Sequence, residues 1–141
     1  MGRIVVGVDG SEGSAAALRW AIDEARRRQS EVDVVHAWEI PYVGEASFSI
    51  GPQEFEAEAQ AVLDQSIRDV EPIPSDVVLR PMLLHGPAAG QLIDTAEGAE
   101  LLVLSSRGHG GFVGLLLGSV SQQCTHHARC PLVIVPHPSK E

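Results

Sequence analysis

Apolar runs alternating with helix-patterned segments predict an α/β fold: an open, five-stranded parallel sheet with helices on both faces. Two observations carry this expectation. The runs Ile4-Val5-Val6-Gly7-Val8, Leu101-Leu102-Val103-Leu104 and Leu132-Val133-Ile134-Val135 are almost continuously apolar, as strands buried on both faces must be. Between such runs, apolar residues recur at helical spacing, and glycine, proline or serine marks the changes of pattern. Strands and helices in alternation imply right-handed crossovers.

The first strand, 4–8, closes at Asp9-Gly10-Ser11, and Ser11 is placed to cap a helix. In that helix Ala15, Leu18, Ala21, Ile22 and Ala25 share a face, and Arg26-Arg27-Arg28 put positive charge at the negative end of its dipole. Val32 to Trp38 reads as a second strand, and residues 39–52, with two prolines and two glycines, as a long loop. Glu54 to Val70 is a helix with Phe55, Ala59, Val62, Leu63 and Ile67 on one side, ended by Pro72 and Pro74. Val77 to Leu84 is a third strand. Its Pro81 argues for an edge, because proline cannot donate to a ladder. The turn His85-Gly86-Pro87 leads to a short helix, Ala88 to Glu97, stopped by Gly98. The fourth strand, 101–104, enters a glycine-rich stretch from Ser105 to Gly118; a helix from Ser119 and a last strand, Leu132 to Val135, follow.

A chain of 141 residues fits one domain spanning 1–141. Ten Lys and Arg against 19 Asp and Glu give a formal charge of −9, which repels nucleic acid and anionic membranes. Met1-Gly2-Arg3 and the brief apolar run after it are too short for a signal peptide, so a cytoplasmic protein is expected. Cys124 and Cys130 are too few for a disulfide framework and fit reduced thiols inside a cell.

In open parallel sheets the ligand crevice lies beyond the carboxyl ends of the strands, where the winding reverses. Two turn-rich segments fall at such ends: Gly7-Val8-Asp9-Gly10-Ser11 and Ser105-Ser106-Arg107-Gly108-His109-Gly110-Gly111. Glycine-rich backbone lets N–H groups approach an anion, and a helix starting at Gly118-Ser119 would aim more of them there, so a phosphate is the natural guest. Glycines also simply make turns, and position at two strand ends is what favours binding here. No Gly-x-x-x-x-Gly-Lys-Ser/Thr occurs, and Asp9 stands where a dinucleotide fold places a close-approach glycine. Asp9 is equally placed to accept hydrogen bonds from ribose hydroxyls or an amine edge, to hold a metal, or to make the turn into the helix.

These residues resemble the universal stress protein family from Ile4 to Val135. Ile4 to Ser11 is similar to that family's opening. Ser105, two residues, Gly108, nine residues, Gly118-Ser119 resembles its nucleotide motif of Gly, two residues, Gly, nine residues, Gly and Ser or Thr. The resemblance implies a sheet in the order 3-2-1-4-5, the adenine nucleotide alpha-hydrolase-like arrangement, and homodimers paired through the last strand, Leu132 to Val135. It also implies binding of ATP, AMP or cyclic AMP, with any Mg²⁺ carried by the nucleotide. Asp9 would contact adenosine, and Ala37 would offer backbone groups to adenine. Gly108, Gly118 and Ser119 would cradle ribose and phosphates, with Arg107 and His109 lining the loop. Gly86 borders the pocket, and Gly7, Val8, Leu104, Ser105, Gly110 and Val120 flank these positions. One departure is Ser105, where the family pattern has glycine; a positive φ or close backbone approach needed there would alter the pocket. Lys140 is the single lysine, leaving Arg107 and backbone dipoles to balance phosphate charge.

Other readings are weaker. Cys124, His126, His127 and Cys130 match no standard zinc spacing, and apolar packing of the cysteines is the commoner role. No Gly-x-Ser-x-Gly elbow follows a strand, which disfavours a serine hydrolase. Asp9, Arg107 and His109 are few groups for phosphoryl transfer, so at most slow ATP turnover is expected. Against a nucleotide-binding stress-response sensor stands a dimeric interaction module with a vestigial pocket, which Ser105 favours. An adenylating enzyme on a related fold is a third reading.

Overall fold

The computed structural model describes residues 2–40, 51–107 and 117–136. Along the chain run β1 (Arg3–Gly7), α1 (Glu12–Arg28), β2 (Glu31–Trp38), α2 (Pro52–Arg68) and β3 (Leu79–His85). After them come α3 (Ala88–Thr95), β4 (Leu101–Ser105), α4 (Ser119–His127) and β5 (Leu132–Val135). All five strands are parallel, in the order β3-β2-β1-β4-β5. This is the expected sheet. Its winding reverses between β1 and β4, which are hydrogen-bonded neighbours.

Because successive strand residues face opposite ways, the apolar strands feed two cores. On one face Ile4, Val6, Val32, Val34 and Val103 pack with Ala17, Leu18, Ala21 and Ile22 of α1 and Leu63 of α2. On the other, Val5, Val35, Leu102 and Leu104 pack with Ala89 and Leu92 of α3 and Cys124 of α4. Each fully buried Val, Leu or Ile contributes about 1.5–3 kcal/mol of transfer free energy, so the strands are fixed from both sides.

Ser11 caps α1 as its sequence position suggests: its side chain accepts the Ser14 N–H at 3.1 Å. Gln29, in the left-handed conformation at φ 57°, ends that helix just after the three arginines. Pro81 lies on the edge strand, opposite Val34. Several boundaries shift. Helix α2 starts at Pro52, because proline suits the first helical turn, and stops at Arg68; α3 stops at Thr95. Strand β3 starts at Leu79 because the Val77 N–H turns back to the Pro74 carbonyl at 3.1 Å. Among the described residues, no helix is long and apolar enough to cross a membrane.

Candidate functional site

The first strand delivers the chain to the crevice through a packed glycine. A Cβ on Gly7 would sit 2.8 Å from a Leu104 methyl and 3.1 Å from Leu92, so the close approach here is to core side chains. Val8 is buried, donates its N–H to the Val35 carbonyl at 2.8 Å, and its own carbonyl meets His36 Nδ1 at 2.8 Å. A carbonyl only accepts, so Nδ1 of His36 carries the proton. His36 thereby braces the residue next to Asp9, a part that a polar residue inside an apolar strand could have signalled.

Asp9 makes the turn into α1. Its Oδ1 accepts the Ser11 N–H at 3.0 Å and the Ser11 hydroxyl at 2.5 Å, and its own N–H donates to Ser14 Oγ at 3.2 Å. Of the roles open to this aspartate, the turn role is thus occupied, and the carboxylate is held at the carboxyl end of β1 next to the start of α1. Ser14, buried, completes the corner by donating to the Ser11 carbonyl at 3.1 Å.

Ala37 lies one strand over. Odd-numbered residues of β2 turn their backbone groups toward β1, as Glu31 to Gly2 and Val35 to Val8 show. The β1–β2 ladder ends at Gly7↔Val35, so the peptide groups of Ala37 face the space beyond the end of β1. At the outer end of the same strand, the Trp38 ring is tilted against His85 with centroids 4.5 Å apart, and Gly86 donates its N–H to the Trp38 carbonyl at 2.9 Å. Gly86 has φ +146°, and a Cβ there would meet the Gln91 amide at 2.4 Å, so this turn requires glycine.

The other wall of the crevice is the exit of β4. Leu104 is core, 4% exposed. Ser105 is the last residue of β4, opposite Val135, and its φ is not positive, so serine fits the backbone where the family pattern has glycine. Its hydroxyl donates to the Arg107 carbonyl. The Ser106 N–H donates to Val135 at 2.9 Å, and the Ser106 carbonyl accepts the Gly118 N–H at 2.6 Å and the Ser121 hydroxyl at 2.9 Å.

Gly118 is the N-cap of α4 and makes no side-chain cap, so the first N–H groups of Ser119 and Val120 point past the helix end. Ser119 is exposed, while the Val120 side chain packs against the α3/α4 core. Gly108, His109 and Gly110 lie outside the described residues. The structure therefore brings Asp9, Ala37, Ser105, Arg107, Gly118 and Ser119 to one end of the sheet, and Gly86 to its outer margin. Sequence reasoning missed Ser106, Ser121 and His36.

Cys124 and Cys130 both belong to the α3/α4 core, and His127 is exposed. Burial, reinforced by the neighbouring Cys130 thiol, pushes the Cys124 thiol up to about 11. Burial also raises Cys130, opposed by Arg3 and a backbone hydrogen bond from Leu102. Both are thiols, not thiolates, at neutral pH. Among the described residues, no three His, Cys, Asp or Glu side chains group as a metal site.

Residues 1–136 match the model of the universal stress protein family. The chain is 34% identical over 131 residues to universal stress protein Rv2623 of Mycobacterium tuberculosis (strain ATCC 25618 / H37Rv), covering 93% of this chain and 44% of that protein. It thus spans less than half the length of that relative. A universal stress protein solved in complex with cAMP superposes with a TM-score of 0.73 at 23% identity, over 97% of this chain and 98% of that one. A universal stress protein family protein from Arabidopsis thaliana with AMP bound gives 0.70 at 18% identity, over 99% and 94%. At these identities the two structures establish a shared fold.

Proposed function

This chain belongs to the universal stress protein family, and from that premise we propose that it binds an adenine nucleotide across the carboxyl ends of β1, β2 and β4. It acts as a stress-response sensor or regulator in the cytoplasm rather than as a fast enzyme. One observation carries the reading: the Asp9 turn and the amino end of α4 lie on adjacent central strands, at the point where the winding of the sheet reverses. The Asp9 carboxylate suits the ribose hydroxyls, the outward peptide groups of Ala37 suit the adenine edge, and the Ser119 and Val120 amides suit phosphate. Related folds solved with cAMP and with AMP support an adenine nucleotide as the guest. ATP fits the same geometry, with Mg²⁺ carried by the nucleotide and Arg107 supplying the positive side chain.

The protein pairs as a homodimer along β5. Leu132 to Val135 form an edge strand whose four side chains are each only partly covered, and a second copy would cover them. A contrasting reading, an interaction module with a vestigial pocket, is favoured by Gly118, whose N–H is already bonded to Ser106. Calorimetric titration with AMP, cyclic AMP and ATP plus Mg²⁺ separates the two. Saturable binding of at least one nucleotide, one per chain, is expected; no heat with all three would leave the vestigial reading.

A further inference from the structure

Serine side chains hold both the exit of β4 and the start of α4. On the β4 side, Ser105 donates its hydroxyl to the Arg107 carbonyl. On the α4 side, Ser121, 3% exposed, donates to the Ser106 carbonyl at 2.9 Å and to the Gly118 carbonyl at 3.2 Å. The Gly118 N–H reaches the same Ser106 carbonyl at 2.6 Å, and the Ser106 N–H is fixed to Val135 at 2.9 Å. The end of β4, the start of α4 and the last residue of β5 therefore meet at one residue, Ser106, with a serine hydroxyl bonded on either side.

We propose that Ser105 and Ser121 are positioning residues, Ser121 tying the amino end of α4 to the end of β4 and Ser105 fixing the turn by which the chain leaves β4, and that together they set the amides that receive the nucleotide's phosphate. This rests on the nucleotide-binding reading given above. It also reverses the meaning of the one departure from the family motif: Ser105 replaces glycine with a side chain that ties the turn out of β4, so the departure strengthens the site. The physical reason is that backbone amides already held in place have less conformational freedom to lose when ligand binds, and a neutral hydrogen bond holding them is worth a fold-change of about five.

Ser105→Ala, Ser105→Gly, Ser105→Thr and Ser121→Ala are compared with the parent chain by calorimetry with AMP and by amide hydrogen exchange without ligand. Ser105→Ala, Ser105→Gly and Ser121→Ala are each expected to weaken AMP about fivefold and to speed exchange of the Ser106 and Gly118 amides. Ser105→Thr keeps the hydroxyl and should restore both values. Tighter binding in Ser105→Gly, or binding changed without faster exchange, would overturn the proposal. A variant that merely melts earlier with AMP affinity unchanged would reduce its serine to a structural role and overturn the proposal for that residue. Should the parent chain bind no nucleotide, the nucleotide-binding reading fails; exchange then still decides whether the clasp exists, and unchanged exchange in all variants refutes it.

Discussion

The two ends of the sheet handle polar groups in opposite ways. At the amino end, charges are closed on one another. Asp33, 4% exposed, takes Arg3 on one carboxylate oxygen at 3.3 Å and Arg80 on the other at 2.8 Å. Arg3 also donates to the Thr95 and Glu97 carbonyls, each at 2.8 Å, and Arg80 pairs with Glu31 at 3.3 Å. The carboxylate beside Arg80 holds its guanidinium above the usual arginine range. At the carboxyl end, the described polar groups are hydroxyls, a turn carboxylate and backbone amides, and Arg107 has its carbonyl held by the Ser105 hydroxyl. Paired charge is suited to holding strands together, whereas backbone amides at a helix start are suited to an incoming anion.

Substitutions at the two ends should therefore separate binding from stability. The largest effect is expected from Gly118→Val, which places a branched side chain against the space a phosphate needs. AMP binding should fall below detection by calorimetry while the far-ultraviolet circular dichroism stays unchanged. Asp33→Ala should do the converse: it leaves Arg3 and Arg80 facing each other without their shared partner. Because both arginines are partly exposed, the cost is about 2–3 kcal/mol, a drop of roughly 5–10 °C in Tm, with AMP affinity retained. Asp9→Asn keeps an oxygen for the Ser11 turn but removes the charge, so AMP affinity should fall by about 1.5 kcal/mol with Tm little changed. A fall in Tm with affinity intact would make Asp9 a turn residue alone.

The smallest effect concerns neither end directly. Iodoacetamide should label partly exposed Cys130 in the native protein and Cys124 only on unfolding. The Cys124 thiol ionises at about 11 in the fold against an ordinary 9.0, so the folded state holds that proton more tightly. Its contribution to stability is full below pH 9.0 and is lost as pH rises through about 11. Cys124→Ala should flatten that part of an alkaline denaturation curve.

Much of this contrast is legible in the sequence. Uninterrupted runs such as Ile4 to Val8 dictate a sheet covered on both faces, and Pro81 places β3 at an edge. Asp9, Gly118 and Ser119 stand out because turn residues and glycines follow apolar strands at fixed spacing. The serine clasp was not legible, because Ser105, Ser106 and Ser121 are small polar residues and the contact that joins the two sides, Ser121 to the Ser106 carbonyl, links positions that only the fold brings together. Gly7 carries a second reason for glycine that the sequence did not show: a Cβ there would meet the core side chains of Leu104 and Leu92. The Asp33 cluster hid for a related reason, since Arg3, Asp33 and Arg80 sit on three strands that only the topology makes neighbours.

The central claim is that the carboxyl end of the sheet is where this chain meets its ligand. Titrating isotopically labelled protein with AMP while following backbone amide resonances tests it directly. The account predicts saturable shifts for Asp9, Ala37, Ser119 and Val120, with Arg3, Asp33 and Arg80 unmoved. Shifts concentrated at the amino end, or no shifts anywhere at saturating AMP, ATP and cyclic AMP, would contradict it.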